Sequence, residues 1–276
     1  MTTNKKSKVQ ELFSQLKNGV SQVYTSDKWK EILVFQSKFH RYSFKNMMLI
    51  YFQCPHASRV AGFEDWKKFK RYVKRGERGL AILAPNIKKK IDDETGEESR
   101  VLTGFRHCYV FDVSQTDGEP LPELCSELKG DSKSMREFYA AAKTICPFPV
   151  NEERIEGGAK GYFNHLTQSI GIKDNMAYKH KAKTLIHELA HGMLHGYENP
   201  RRDELTRNDR EIEAEGTAFV VLNYFGFDTS DYSFPYVAHW NPENSLDAIQ
   251  KAGDIIQKAS QEIIEMIETQ LNQEAA

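Results

Sequence analysis

The chain reads as an α+β protein in two domains. Three observations predict this. Charge is split along the sequence: residues 1–110 hold 22 Lys+Arg against 11 Asp+Glu, and residues 111–276 hold 16 against 28. A net of +11 is thus followed by a net of −12, which argues for two units with different partners. A polar stretch with Pro120, Pro122 and several Gly and Ser, about residues 114–134, lies where the sign changes and reads as a linker. Beyond it a strand pair, a histidine-bearing helix and an acidic helix follow in an α+β order. The expected domains are 1–125 and 126–276.

Composition narrows the class. Of the 276 residues 39% are hydrophobic and 28% charged, which suits a globular protein. No apolar run approaches the roughly 18 residues of a membrane span, so no membrane partner is expected. The opening "MTTNKKSKVQELFSQLKNGV" is basic but has no apolar signal core, and reads as an amphipathic helix. Cys54, Cys108, Cys125 and Cys146 form no CxxC pair. A disulfide framework is not expected, and the cytoplasm is the expected compartment. The basic half suits a nucleic acid or another anionic surface.

The elements follow in order. Residues 4–23, 27–39 and 43–53 read as helices. The second places Trp29, Ile32, Leu33, Gln36 and Phe39 near one stripe. "CPHAS" interrupts, and "GFEDWKKFKRYVKRG" resumes as a basic-aromatic helix. "RGLAILAPNIKKKI" and "RVLTGFRHCYVFDV" flank the turn-former "DDETGEES", which predicts a β-hairpin. After the linker come a helix in "MREFYAAAKTI" and two short strands in "GYFNHLTQSIGIKD". "AYKHKAKTLIHELAHGMLHG" is a helix ending at Gly196. "NDREIEAEGTAFVVLNYFGF" is a helix capped by Asn208 or Asp209, and "SLDAIQKAGDIIQKASQEIIEMIETQL" a long amphipathic one.

Chemistry concentrates in "HELAH", an H-E-x-x-H pattern. His187 and His191 are one helical turn apart and can reach one zinc ion at about 2.0–2.1 Å. Glu188, beside the first, is placed to take a proton from a water at that metal. The third donor comes from His195, Glu211, Glu213 or Glu215. Glu211 and Glu215 are four apart and share a helix face, while Glu213 points elsewhere. His195 continues the motif helix about 12 Å along the axis from His187 and reads as a rim residue. The arrangement resembles thermolysin-like zincins. That resemblance implies Glu211 as the third ligand and Glu215 as a carboxylate orienting a ligand histidine, with the exchange of the two left open.

"HELAHGMLH" followed by "EIEAEGTAFVVL" resembles the ImmA/IrrE group of zincin-like metallopeptidases. "FKNMMLI" and the stretch from "GFEDWKKFKR" to "ILAP" resemble the N-terminal domain of ArdC-type antirestriction proteins. The resemblance covers nearly the whole chain. It implies a single-stranded-DNA-binding domain over 1–125 and a zinc metallopeptidase domain over 126–276, with one zinc per chain. It also implies antirestriction on a mobile element, and a protein substrate such as a restriction or regulatory protein. An alternative function is a non-catalytic DNA-occupancy or regulatory protein in which zinc is structural.

Single strands are held by basic grooves with aromatic platforms. The candidate contacts are Lys67, Lys68, Lys70, Arg71, Lys74, Arg75 and Arg78, with Trp66. Phe63, Phe69 and Tyr72 are interleaved, and Arg59, Tyr42 and Asn46 are further possibilities. Trp66 and Phe69, at i, i+3, have a spacing more often met in a core pair than in a stacking platform. A fragment of residues 1–125 is expected to bind single-stranded DNA by itself.

Overall fold

The computed structural model describes residues 8–16, 26–91, 98–121, 132–229, 234 and 245–274. Among these no helix is long and apolar enough to cross a membrane. The chain divides into two compact units. Met1–Gln22 joins Lys45–Leu121, and Val23–Phe44 joins Pro122–Ala276. The second crossover, at 121/122, lies close to the expected boundary at 125/126. The first was not expected: residues 23–44 belong with the C-terminal unit.

The first unit is built on a long hairpin. After helix α1 over residues 8–16 and helix α3 (Phe44–Gln53), β1 (Val60–Gly62), α4 (Phe63–Lys68) and β2 (Arg71–Val73) lead to β3 (Leu80–Ile91) and β4 (Glu98–Asp112). β3 and β4 pair antiparallel from Leu80↔Val110 to Ile91↔Glu98, the hairpin that the sequence predicts. The expected turn, residues 92–97, lies outside the described residues. β1 adds to the other side of β4, so the order is β1-β4-β3. The free edge of β3 is covered by side chains. Asn46 and Gln53, two turns apart on α3, each donate to and accept from one β3 residue, Leu83 and Ala81 respectively. This satisfies backbone groups that an edge strand leaves open. Asn46 is therefore engaged with the sheet, and Tyr42 belongs to the other unit.

The basic-aromatic segment departs from the expected single helix. It runs for six residues, turns through Lys70 at φ 54°, and continues as β2, paired with β5 (Thr116–Gly118). β5 and the short 3-10 turn Val113–Gln115 occupy the start of the expected linker. Residues 122–131 of that linker lie outside the described residues. Gly118, at φ 142°, leaves room for the β2–β5 approach: a Cβ there would stand 2.3 Å from the Lys70 carbonyl oxygen. Asp112 anchors the turn. Its buried carboxylate accepts from the Ser58, Arg59 and Ser114 backbone N–H groups and from the Ser114 hydroxyl.

The second unit places helix α2 (Ser26–Lys38) against α7 (Arg207–Tyr224). Trp29, Ile32, Leu33, Gln36 and Phe39 are all buried, the stripe the sequence predicts. Ser37 donates to Asn223, and Gln257 of α8 (Ser245–Glu274) donates to the carbonyls of Phe39 and His40. Gly253 lets α8 approach Phe44, whose ring carbons lie within 2.4–2.6 Å of where a Cβ would be. Helix α5 (Ser132–Ile145) packs on α6 (Tyr178–His195) and α8. The sheet is β6 (Val150–Glu153), β8 (Ser169–Lys173) and β7 (Gly161–Asn164), with β6 parallel and β7 antiparallel to the central β8. β6 was not expected. Glu152 fastens it, 2.5 Å from the largely buried Lys181 ammonium and 3.5 Å from that of Lys143. Helix α6 ends at Gly196 as expected, but at φ −59°, without a left-handed cap. Thr206, not Asn208 or Asp209, caps α7, in a capping box with Asp209.

Candidate metal centre

Helices α6 and α7 pack side by side and bring three donors together. His187 Nε2 and His191 Nε2 are 3.1 Å apart. Glu211 Oε2 lies 3.6 Å from the first and 3.7 Å from the second. All three atoms fall within 4.8 Å of one another. Four-coordinate zinc with bonds of about 2.0–2.1 Å holds its donors roughly 3.4 Å apart. Two imidazoles and a carboxylate at these separations fit a divalent ion. Such a donor set suits zinc, and manganese also accepts it.

Glu215, one turn further along α7, does not join this cluster. Its Oε2 stands 3.1 Å from His187 Nδ1, the ring nitrogen facing away from the cluster. Its other oxygen is 3.3 Å from the Lys183 ammonium. Burial raises its pKa, but His187 and Lys183 outweigh that and hold it below the ordinary value. The separation suits a carboxylate that orients a ligand ring, although the angle at His187 Nδ1 is not that of a hydrogen bond. Glu188 lies in the same cleft. Burial pushes its carboxyl above the ordinary value, against the opposing pull of His187 and His191.

Two residues set aside at the motif prove to be connected to it. His195 is 1% exposed, not at a rim. Its Nδ1 is 3.1 Å from His191 Nδ1, and its Nε2 is 3.1 Å from Glu213 Oε2. Glu213 does point away from the donors, but into this buried chain, where Oε1 accepts from Arg201 at 2.9 Å. The line His191–His195–Glu213–Arg201 backs the second donor. The signal was in the spacing: each step of four residues turns about 40° round a helix, so the third ring swings towards the neighbouring helix. Glu213→Ala should destabilise the fold by roughly 3 kcal/mol. It strands His195 and Arg201, while partial exposure of Arg201 keeps the loss at the low end for a broken buried pair. Urea unfolding measures this, and a loss under about 1 kcal/mol would mean the pair is not structural.

The candidate DNA contacts are less concentrated than expected. Trp66 is 2% exposed and donates its ring N–H to the Phe111 carbonyl, so it is a core residue. Lys67, Lys68, Lys70 and Lys74 face Glu64, Asp65, Glu119 and Asp117 at 2.6–3.7 Å. Arg71 bonds Thr116, Gly118 and Glu119 and braces the β2–β5 pair. Arg75 and Arg78 are exposed, with no carboxylate partner among the described residues. Phe63 and Phe69 are about half exposed, and Tyr72 more than half.

An H-E-x-x-H helix, an adjacent edge strand and a carboxylate from the next helix define a metallopeptidase-like domain of the zincin kind. Residues 147–242 match the model of the IrrE N-terminal-like domain of M78 peptidases. Residues 4–111 match the N-terminal domain of anti-restriction factor ArdC. The chain thus joins a domain of the ArdC N-terminal kind to an IrrE-like peptidase domain. The metal-free crystal structure of antirestriction protein ArdC from the R388 plasmid aligns over 84% of this chain and 86% of that one. The two are 20% identical, with a TM-score of 0.50. The Mn(II)-bound structure of that protein aligns over 85% and 89%, also at 20% identity, with a TM-score of 0.46. An uncharacterized Bacillus anthracis protein is 24% identical over 293 residues, which cover 91% of this chain and 49% of that protein. The chain spans about half the length of that curated relative.

Proposed function

We propose that the chain is a zinc-dependent peptidase joined to a single-stranded-DNA-binding domain, acting in antirestriction on a mobile element. The observation that carries this is the convergence of His187, His191 and Glu211 on one point, with half-buried Glu188 lining the same cleft. A divalent ion there supplies a Lewis acid that polarises a carbonyl and acidifies water. His187, His191 and Glu211 would hold it, and Glu215 orients the His187 ring. Glu188, its basicity raised by burial, takes the proton from the attacking water and passes it to the leaving amine. β7 is an edge strand on the cleft, so an extended peptide can pair with it and present its carbonyl.

Exposed Phe63, Phe69 and Tyr72 support the DNA-binding half as stacking platforms. Arg75, Arg78 and the ribbon residues Lys88, Arg100 and Arg106 supply exposed cations without carboxylate partners among the described residues. The test uses the full chain. Labelled single-stranded DNA should bind, with affinity falling steeply with salt at roughly −0.7 per phosphate neutralised. Phe69→Ala or Tyr72→Ala should each cost about 1–3 kcal/mol, the scale of one stacked base. Arg75→Ala with Arg78→Ala should flatten the salt slope. No binding at low salt would remove DNA from the proposal. The peptidase half is tested by Glu188→Gln in a restriction-protection assay. Protection unchanged by that substitution would favour occupancy of DNA without turnover.

A further inference from the structure

The cleft of about 360 Å³ around the metal donors has a cationic wall that the hydrolytic chemistry does not use. Arg202, Arg207 and Arg210 line it. Arg207 and Arg210 lie on the turn of α7 that ends at Glu211, so they share the face that carries this donor to the cleft. Neither pairs with a carboxylate among the described residues. Arg202 is held from the side: its guanidinium lies 3.9 Å over the Tyr197 ring, which meets His165 edge-on at 5.1 Å. This stacking fixes Arg202 without using its donors, and its buried Nε has no hydrogen-bond partner. Glu188 and Glu211 are the carboxylates lining the cleft, and both face the histidines.

Three guanidinium groups beside two engaged carboxylates leave positive charge uncompensated, and a divalent ion adds more. The surroundings decide what can answer it. The second unit holds 20 Lys+Arg against 27 Asp+Glu, so at long range it repels a polyphosphate chain. A single carboxylate on a peptide meets little of that repulsion and can take a two-pronged hydrogen bond from arginine. We infer that this cleft recognises a carboxylate next to the group held at the metal. Its source is either an acidic side chain beside the scissile bond or the terminal carboxylate of a peptide. The inference rests on the peptidase proposal for what the ligand is, but the arginine wall acts without the metal.

The experiment uses full-length Glu188→Gln protein, which prevents turnover, with and without zinc. Three N-acetylated peptides are titrated by calorimetry: acetyl-Ala-Ala-Glu-Ala-Ala-amide, its Gln counterpart, and the Gln peptide with a free C-terminus. A carboxylate peptide should bind about tenfold or more tightly than the neutral one, the scale of a hydrogen bond to a charged group. Whichever of the two carboxylate peptides is favoured identifies the source. The advantage should persist without zinc and shrink to about twofold when Arg207→Gln and Arg210→Gln are combined. Zinc content, measured on the same samples, should not change in that double variant. Equal binding of all three peptides, no binding of any, or an advantage untouched by the double variant would overturn the inference. So would displacement of the peptide by oligo(dT), which would mark a phosphate site. A protein that retains no zinc yet prefers the carboxylate would instead sink the peptidase proposal and leave this inference standing.

Discussion

Chains carrying His187→Ala or His191→Ala should purify with no zinc above background, where the unaltered chain holds about one per molecule. The two Nε2 atoms and Glu211 Oε2 form one small triangle, so losing either imidazole leaves two donors. One imidazole and a carboxylate do not hold zinc against a chelator. Glu211→Ala should weaken binding strongly. Glu215→Ala should weaken it by about 10–100-fold, the usual effect of losing a partner that orients a ligand. That difference separates the two glutamates, whose exchange the spacing leaves open. Glu188→Gln should keep the metal and lose hydrolysis, because its carboxylate is not among the clustered donors. Elemental analysis decides: full zinc in the His187→Ala chain would end the assignment.

The candidate donors were partly legible from local rules. His187 and His191 follow from helix periodicity, while periodicity leaves Glu211 and Glu215 open and the zincin resemblance chooses Glu211; the structure brings His187, His191 and Glu211 within reach of one another. What was not legible depends on neighbours distant in sequence. His195 and Glu213 look like surface residues until Arg201 and the facing helix enclose them. The segment from Gly62 to Gly76 has the spacing of a basic helix, yet Arg71–Val73 pairs with Thr116–Gly118, more than 40 residues later. Such a pairing depends on a strand hidden in a polar, linker-like stretch. β6 was missed for a related reason: "VNEE" carries no alternating apolar signal, and its place is fixed by Glu152 meeting Lys181 and Lys143. The Thr206 cap was legible in principle, since Thr-x-x-Asp is a capping-box pattern with Asp in place of Glu.

A chain cut to residues 126–276 should fail to fold cooperatively, although it holds every metal donor. Helix α2 lies outside that fragment but inside the unit's core. Trp29, Ile32 and Leu33 are fully buried, and Phe35 and Phe39 are each 3% exposed. Burying a large apolar side chain contributes about 1.5–3 kcal/mol, so five approach the whole stability of an ordinary domain, roughly 5–15 kcal/mol. The cut also strips Gln257 of the Phe39 and His40 carbonyls, and Asn223 of Ser37. The same reasoning revises what residues 1–125 can show. That fragment carries α2 with its apolar face uncovered, so aggregation should obscure DNA binding, and residues 45–121 are the cleaner probe. Joining residues 23–44 to 122–276 through a flexible linker should restore both a cooperative thermal transition and zinc binding. If 126–276 alone melts cooperatively near the temperature of the full chain and binds one zinc, α2 is peripheral to the unit. The division of the chain at residues 22 and 44 would then have no energetic meaning.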